Sequence, residues 1–242
     1  QGKISSHYKS EKVYQQFLLS ILKWHEEKYS NTYNQEIDGT LYVIGESHSL
    51  VSHKLYIHNS DSFMRCKAKL IKGCKQWHLG NPANNKYKHQ FEALLSSLPK
   101  YSDVLLAIGE IDCRLDSGII KHKNKFPEQG VREIIKTTVK NYLAYVVKTN
   151  SSHQHNIVIQ GVPCPNIDTR NHTKKNIEEL ISVIKIFNCE LRSKSRERGF
   201  KFLDVHKLTD RGDGFSDSAW HIDNHHLSPD GFLEAWREYN FL

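Results

Sequence analysis

Four short polar segments hold the residues best suited to covalent chemistry. Gly45-Glu46-Ser47-His48-Ser49 closes one apolar run, and Gly80-Asn81 follows a second stretch. Gly109-Glu110-Ile111-Asp112-Cys113-Arg114 closes a strongly apolar run, and His221-Ile222-Asp223-Asn224-His225-His226 lies near the carboxyl end. A serine hydroxyl is a poor nucleophile at neutral pH and needs an adjacent base, itself oriented by a third group. Ser47, Asp223 and one of the late histidines supply those three types, which together attack an acyl carbon. With Asp and His close together in one loop, a single turn delivers both to the serine.

Such residues must be brought together by the elements between them. The chain alternates strand-like and helix-like patterns, which predicts a parallel sheet covered on both faces. Residues Val13 to Trp24 carry apolar side chains at helical spacing. Thr40 to Gly45 is a short apolar strand, Cys74 to Leu79 a weaker one, and Asp103 to Gly109 the strongest. Phe91 to Leu98 and Val131 to Val147 space as helices. Asn156 to Val162 is a further strand, Ile177 to Leu191 a helix ending near Gly199, and Phe200 to Val205 the last strand. Ser228-Pro229 has the N-cap and first-turn residues of a final helix. Ligands bind beyond the carboxyl ends of strands in open parallel sheets, so the four polar segments converge on one cleft.

These segments, in this order, resemble the blocks of the GDSL/SGNH hydrolase superfamily. Gly45-Glu46-Ser47-His48-Ser49 is similar to its Gly-Asp-Ser-x-Ser block, with Glu46 in place of Asp. Gly80 stands where the second block's glycine is expected, Gly109-Glu110-Ile111-Asp112 resembles Gly-x-Asn-Asp, and Asp223 to His226 resembles Asp-x-x-His. The string Gly-Glu-Ile-Asp-Cys-Arg is similar to a bacterial branch of that superfamily. The resemblance spans Leu41 to Gly231. It implies a single-domain, flavodoxin-like α/β/α sandwich over 1–242, with 1–38 a helical extension. It also implies Ser47 as nucleophile, His226 as base and Asp223 as its orienting carboxylate. The oxyanion hole would be the backbone N–H groups of Ser47 and Gly80, with Asn81 as a further donor, and no cofactor is needed.

One position departs from the pattern. The third-block asparagine, an oxyanion donor, is replaced by Ile111, which cannot donate; Asn81, Asn84 or Arg114 could take its place. Glu110, Asp112 and Arg114 are candidate substrate-binding residues, with a structural ion pair or loop tether as the plainer role for the last two. Ser47 could instead cap the helix that follows its strand, and Cys113 reads as a buried thiol. The expected function is a serine esterase acting on small O-acyl esters such as carbohydrate O-acetyl groups. The alternatives are an acyltransferase using the same site, a non-catalytic glycan- or protein-binding module, or a metal-dependent hydrolase built on His221, Asp223, His225 and His226.

Composition bounds these readings. The chain has 242 residues, 38% hydrophobic and 25% charged, enough for a real core and too apolar for a disordered chain. No apolar run approaches the length of a membrane span, so a soluble protein is expected. It could be cytoplasmic or a domain of a larger protein, with the compartment and oligomeric state left open. The formal charge of +7 reads as a lysine-rich surface, and nucleic acid is not an expected partner, because aromatics do not interleave with the basic stretch from Arg65 to Lys75. Five cysteines without paired spacing argue against a disulfide framework or thiolate zinc site. Asn150-Ser-Ser and Asn171-His-Thr fit the glycosylation pattern, one that is common by chance.

Overall fold

The computed structural model describes residues 6–28, 36–59 and 62–240. Six strands form one sheet: β1 Gly39–Gly45, β2 Tyr56–Asn59, β3 Ser62–Leu70, β4 Asp103–Ala107, β5 Asn156–Gln160 and β6 Lys201–Leu203. Their order is β2-β3-β1-β4-β5-β6. Only β2 runs antiparallel to its neighbour, as the first arm of a hairpin with β3. The other five are parallel and follow the doubly wound order of flavodoxin-like sheets, with the direction of winding reversing between β1 and β4. The expected α/β/α sandwich is the one observed.

Nine helices are present among the described residues: α1 Ser6–Lys28, α2 Gln76–Gly80, α3 Lys86–Ser96, α4 Glu110–Cys113, α5 Gly118–Lys125, α6 Val131–Asn150, α7 Lys174–Glu197, α8 Val205–Thr209 and α9 Pro229–Asn240. None is long and apolar enough to cross a membrane. Alternate residues of the buried strands feed two cores. Val104 and Leu106 of β4 pack with Phe91, Tyr142, Leu143 and Phe187 of α3, α6 and α7. Leu105 and Ala107 face the other way, toward Phe17 and Ile21 of α1 and Phe232 and Trp236 of α9. A parallel sheet with both faces covered explains why β1, β4 and β5 read as continuous apolar runs.

The expected strand over Cys74 to Leu79 is not formed. Cys74 follows the turn at Lys72 and Gly73, Lys75 is the N-cap of helix α2 over Gln76–Gly80, and the second parallel strand is β3, which ends at Leu70, before the expected segment begins. β3 hides its character because Arg65, Lys67 and Lys69 interrupt its apolar residues, and only Phe63, Met64 and Cys66 are fully buried. The strand end therefore falls at Leu70. There the Ile71 N–H donates to Gly45 O at 2.7 Å, which sets this loop beside the Ser47 turn.

α1 belongs to the same core as the sheet. Phe17 is 2% exposed, the Trp24 indole N–H donates to Asp230 Oδ2 at 2.9 Å, and Lys28 pairs with the same carboxylate. Truncating a buried phenylalanine to alanine removes about 3–5 kcal/mol. Phe17→Ala is expected to lower the urea midpoint accordingly; an unchanged midpoint would show that α1 does not dock on this core.

Candidate active site

Ser47 begins a 3₁₀ turn, Ser47–Ser52, directly after β1. The cap of that turn is Glu46, whose carboxylate accepts the His48 N–H, so the Ser47 hydroxyl is not spent on capping. It lies 2.7 Å from His226 Nε2 across 179 residues of sequence. On the far side of the ring, His226 Nδ1–H donates to Asp223 Oδ2 at 2.7 Å. Asp223 Oδ1 accepts the backbone N–H groups of His225 at 2.8 Å and His226 at 2.7 Å. One carboxylate thus folds the loop and orients the imidazole, which is why three-residue spacing suffices. The loop is closed by Ile222 N–H to His226 O and Ser228 N–H to Trp220 O.

The imidazole is held by more than hydrogen bonds. Phe17 of α1 stacks on it with ring centroids 3.9 Å apart and planes 22° from parallel, and the buried His48 ring lies 4.7 Å away. Burial would push the Asp223 carboxyl up, but the hydrogen bond and charge of His226 hold it well below the usual carboxylate range. Burial and then His226 push His48 far below the ordinary histidine range, so it is neutral. Neither Phe17 nor His48 is singled out by spacing in the sequence. Their contacts to His226 become visible only once α1 and the 3₁₀ turn are packed.

The neighbouring histidines have other partners. His221 Nδ1 pairs with Ser216 Oγ at 2.9 Å, and His225 Nδ1 is 3.2 Å from Glu110 Oε1. The cluster of His221, Asp223, His225 and His226 therefore does not converge as a ligand set. Two other groups of described residues do bring ligand-type atoms within 4.8 Å of one another: Glu46, His48 and His226, and Cys164, His206 and Asp210. Ser47 already bonds both Glu46 and His226 in the first, and Asp210 receives the Gly212 and Gly214 N–H groups in the second.

The strand expected before Gly80 is not formed, so Gly80 does not follow a strand end. Gly80 is the last residue of α2, and a Cβ there would lie 2.9 Å from both Asn141 Cβ and Tyr142 N of α6. Its missing side chain serves helix packing. Asn81 Oδ1 accepts the Ala83 N–H at 2.9 Å, and its backbone N–H donates to Trp77 O at 3.0 Å. The glycine that follows the true strand end is Gly73, with φ +74°, a left-handed conformation that glycine adopts at little cost.

The third segment divides its work. Asp112 is 1% exposed and accepts the Gln76 N–H at 2.7 Å and the Trp77 N–H at 3.2 Å. It anchors the start of α2 and is not a substrate-binding group; burial pushes its carboxyl up to about 6. Glu110 takes Arg114 in a close bidentate pair, with Nε 2.8 and 2.7 Å from its two oxygens. Burial alone would raise Glu110, but His225 and the guanidinium hold it low. Arg114 is thus committed to Glu110 rather than standing in for the missing asparagine at Ile111. Cys113 is buried, and burial pushes its thiol well up, as expected of an inert cysteine. Beside the triad loop lies a cavity of about 290 Å³ between the ends of β4 and β5, lined by Glu110, Arg114, Pro165, His172, Asn224 and His225 among others.

With this geometry in place, comparison with known proteins bears on the fold. No sequence-family model matches the chain, and no curated protein does. Solved structures match over most of their length. A protein from Parabacteroides merdae, assigned as a GDSL-like lipase, aligns with TM-score 0.51 at 13% identity, over 87% of this chain and 99% of that one. The chain has the fold of the GDSL/SGNH hydrolases. An α/β hydrolase from the metagenome of Lake Arreo, Spain, aligns with TM-score 0.52 at 14% identity, over 86% and 97% of the two chains. A carbohydrate acetylesterase from Sinorhizobium meliloti aligns with TM-score 0.50 at 12% identity, over 84% and 97%. In this SGNH-type fold the serine turn and the late Asp-His loop meet over one sheet edge.

Proposed function

We propose that the protein is a serine-type hydrolase of small O-acyl esters, with carbohydrate O-acetyl groups as its substrate class. The observation that carries the reading is the unbroken chain from Ser47 Oγ to His226 Nε2 and from His226 Nδ1 to Asp223 Oδ2, each link 2.7 Å. His226 accepts the Ser47 proton as Oγ attacks the acyl carbon, and Asp223 stabilises the resulting imidazolium. The tetrahedral oxyanion is met by backbone N–H groups of Ser47 and, in place of Gly80, Gly73. Collapse expels the alcohol, which takes its proton from His226, and leaves an acyl-Ser47 that water then hydrolyses by the same steps in reverse.

The substrate class is supported by the cavity next to His225. Its polar lining residues, among them Arg114, Asp116, Asp168, Asn171 and His172, can hydrogen-bond a hydroxyl-bearing leaving group beside an apolar wall that includes Val162, Ile167 and Leu180. One of the fold neighbours is a carbohydrate acetylesterase. The test is a chain-length series of p-nitrophenyl esters together with an acetylated oligosaccharide. Acetate is expected to exceed palmitate in kcat/KM by about a hundredfold or more, the size of a discrimination set by pocket shape. Acetate should also be released from the oligosaccharide. Preference for the long chain would overturn the substrate class.

A further inference from the structure

The Ser47 hydroxyl has a second close neighbour that the triad reading leaves unused. Glu46 Oε2 lies 2.8 Å from Ser47 Oγ and also accepts the His48 N–H at 3.2 Å. Glu46 is fully buried, and its other oxygen, Oε1, has no hydrogen-bond partner. His48 Nε2, equally buried and unpartnered, is 4.0 Å from Oε1, too far to bond it. A carboxylate buried with one oxygen bare is poorly solvated, and a neutral acid tolerates that environment far better.

Counting protons decides which form is productive. Ser47 has one hydroxyl proton and two close acceptors. With neutral His226 donating from Nδ1 to Asp223, its Nε2 lone pair needs that proton for catalysis. If Glu46 is ionised, its carboxylate draws the Ser47 O–H to itself and leaves Nε2 facing an oxygen lone pair. If Glu46 carries its proton on Oε2, that proton bonds Ser47 Oγ and the Ser47 O–H points at Nε2. The hydroxyl oxygen of Oε2 still has a lone pair for the His48 N–H.

We propose that Glu46 is a fourth catalytic residue, which in its neutral form donates a hydrogen bond to Ser47 Oγ and thereby directs the Ser47 hydroxyl to His226. This rests on the reading of Ser47 and His226 as nucleophile and base. Each element around Glu46 contributes a titratable or charged group: Tyr14 from α1, Cys74 from the loop after β3, Glu110 from α4 and Arg114 at its C-cap, His48 beside it and His226 from the late loop. Burial first, then the negative charge of Glu110, push the Glu46 carboxyl up to about 7, against the opposing pull of His226, Ser47 and Arg114. The sign follows: activity falls as pH rises through that value, because the carboxylate then competes with His226 for the serine proton.

The test compares wild type with Glu46→Gln, a neutral carboxamide at every pH, so that no carboxylate forms to compete with His226 for the Ser47 proton. Turnover of p-nitrophenyl acetate and labelling by a fluorophosphonate are followed between about pH 6 and pH 9. Glu46→Gln is expected to keep the wild-type rate at the lower pH to within about tenfold and to lose the alkaline decline. Loss of about a thousandfold at all pH would mean that a charged carboxylate is required, and an alkaline decline shared by both proteins would place it on another group; either overturns the proposal. A second measurement does not depend on activity. Infrared difference spectra should show a neutral carboxylic acid C=O band in the wild type that is absent in Glu46→Gln, and absence of that band in the wild type would overturn the assignment. A wild type inert to the fluorophosphonate, with the band present, would instead mark failure of the nucleophile reading.

Discussion

Ser47→Ala is expected to lower kcat/KM on an activated acetate ester by about 10⁴-fold or more, and His226→Ala by a similar factor. The two act as one unit, since Ser47 Oγ and His226 Nε2 share a single proton over 2.7 Å. The double variant should therefore be no worse than either single one to within about tenfold, whereas independent contributions would multiply. The residual rate reports the backbone donors and the cavity. Because Ser47 is only half-buried and the turn it begins is tied by Ser49 Oγ to Glu46 O and Ser52 Oγ to Ser49 O, Ser47→Ala should fold normally. Initial-rate kinetics on the four proteins check this. A product of two separate losses would contradict a shared proton.

The second large effect is at Asp223. Its Oδ1 is fixed by two backbone N–H groups, so in Asp223→Asn the amide oxygen takes that place and the NH₂ group turns toward His226 Nδ1. A donor there forces Nδ1 to become the acceptor and puts the ring proton on Nε2, facing Ser47. The loop keeps its shape while the imidazole is held in the wrong tautomer. kcat is expected to fall about 10⁴-fold, in line with what tautomer inversion does in other serine hydrolases. The low-field proton resonance of the Nδ1–H bond should vanish while the thermal midpoint barely moves. A variant retaining most of its activity would show that Asp223 does not set the tautomer.

The parts of this arrangement that were legible in the sequence share a physical reason. β1, β4 and β5 are buried on both faces, so their residues form continuous apolar runs, and the Ser47 and Glu110 segments follow directly at the ends of β1 and β4. Ser228 at the start of α9 was legible because capping is local; its Oγ accepts the Gly231 N–H at 3.0 Å. β3 was not legible, because its lysines and arginine break the run, and that misplacement drew the expected oxyanion glycine to Gly80, which ends α2 and does not follow a strand. Contacts between distant elements were hidden for a different reason. Asp112 caps α2 across 36 residues, and Phe17 reaches His226 from the opposite end of the chain. Neither leaves a periodic signal in its own segment. Glu46 was visible as a departure from Asp, but its meaning needed the 2.8 Å contact with Ser47 and the bare second oxygen.

The central claim is that one hydroxyl near the start of the fold is the nucleophile that an imidazole near its end activates. Peptide mapping by mass spectrometry after inactivation with a fluorophosphonate tests it most directly. The account predicts a single adduct on Ser47, formed in step with loss of esterase activity and abolished in His226→Ala. An adduct on a different residue, or full inactivation with Ser47 unmodified, would contradict it.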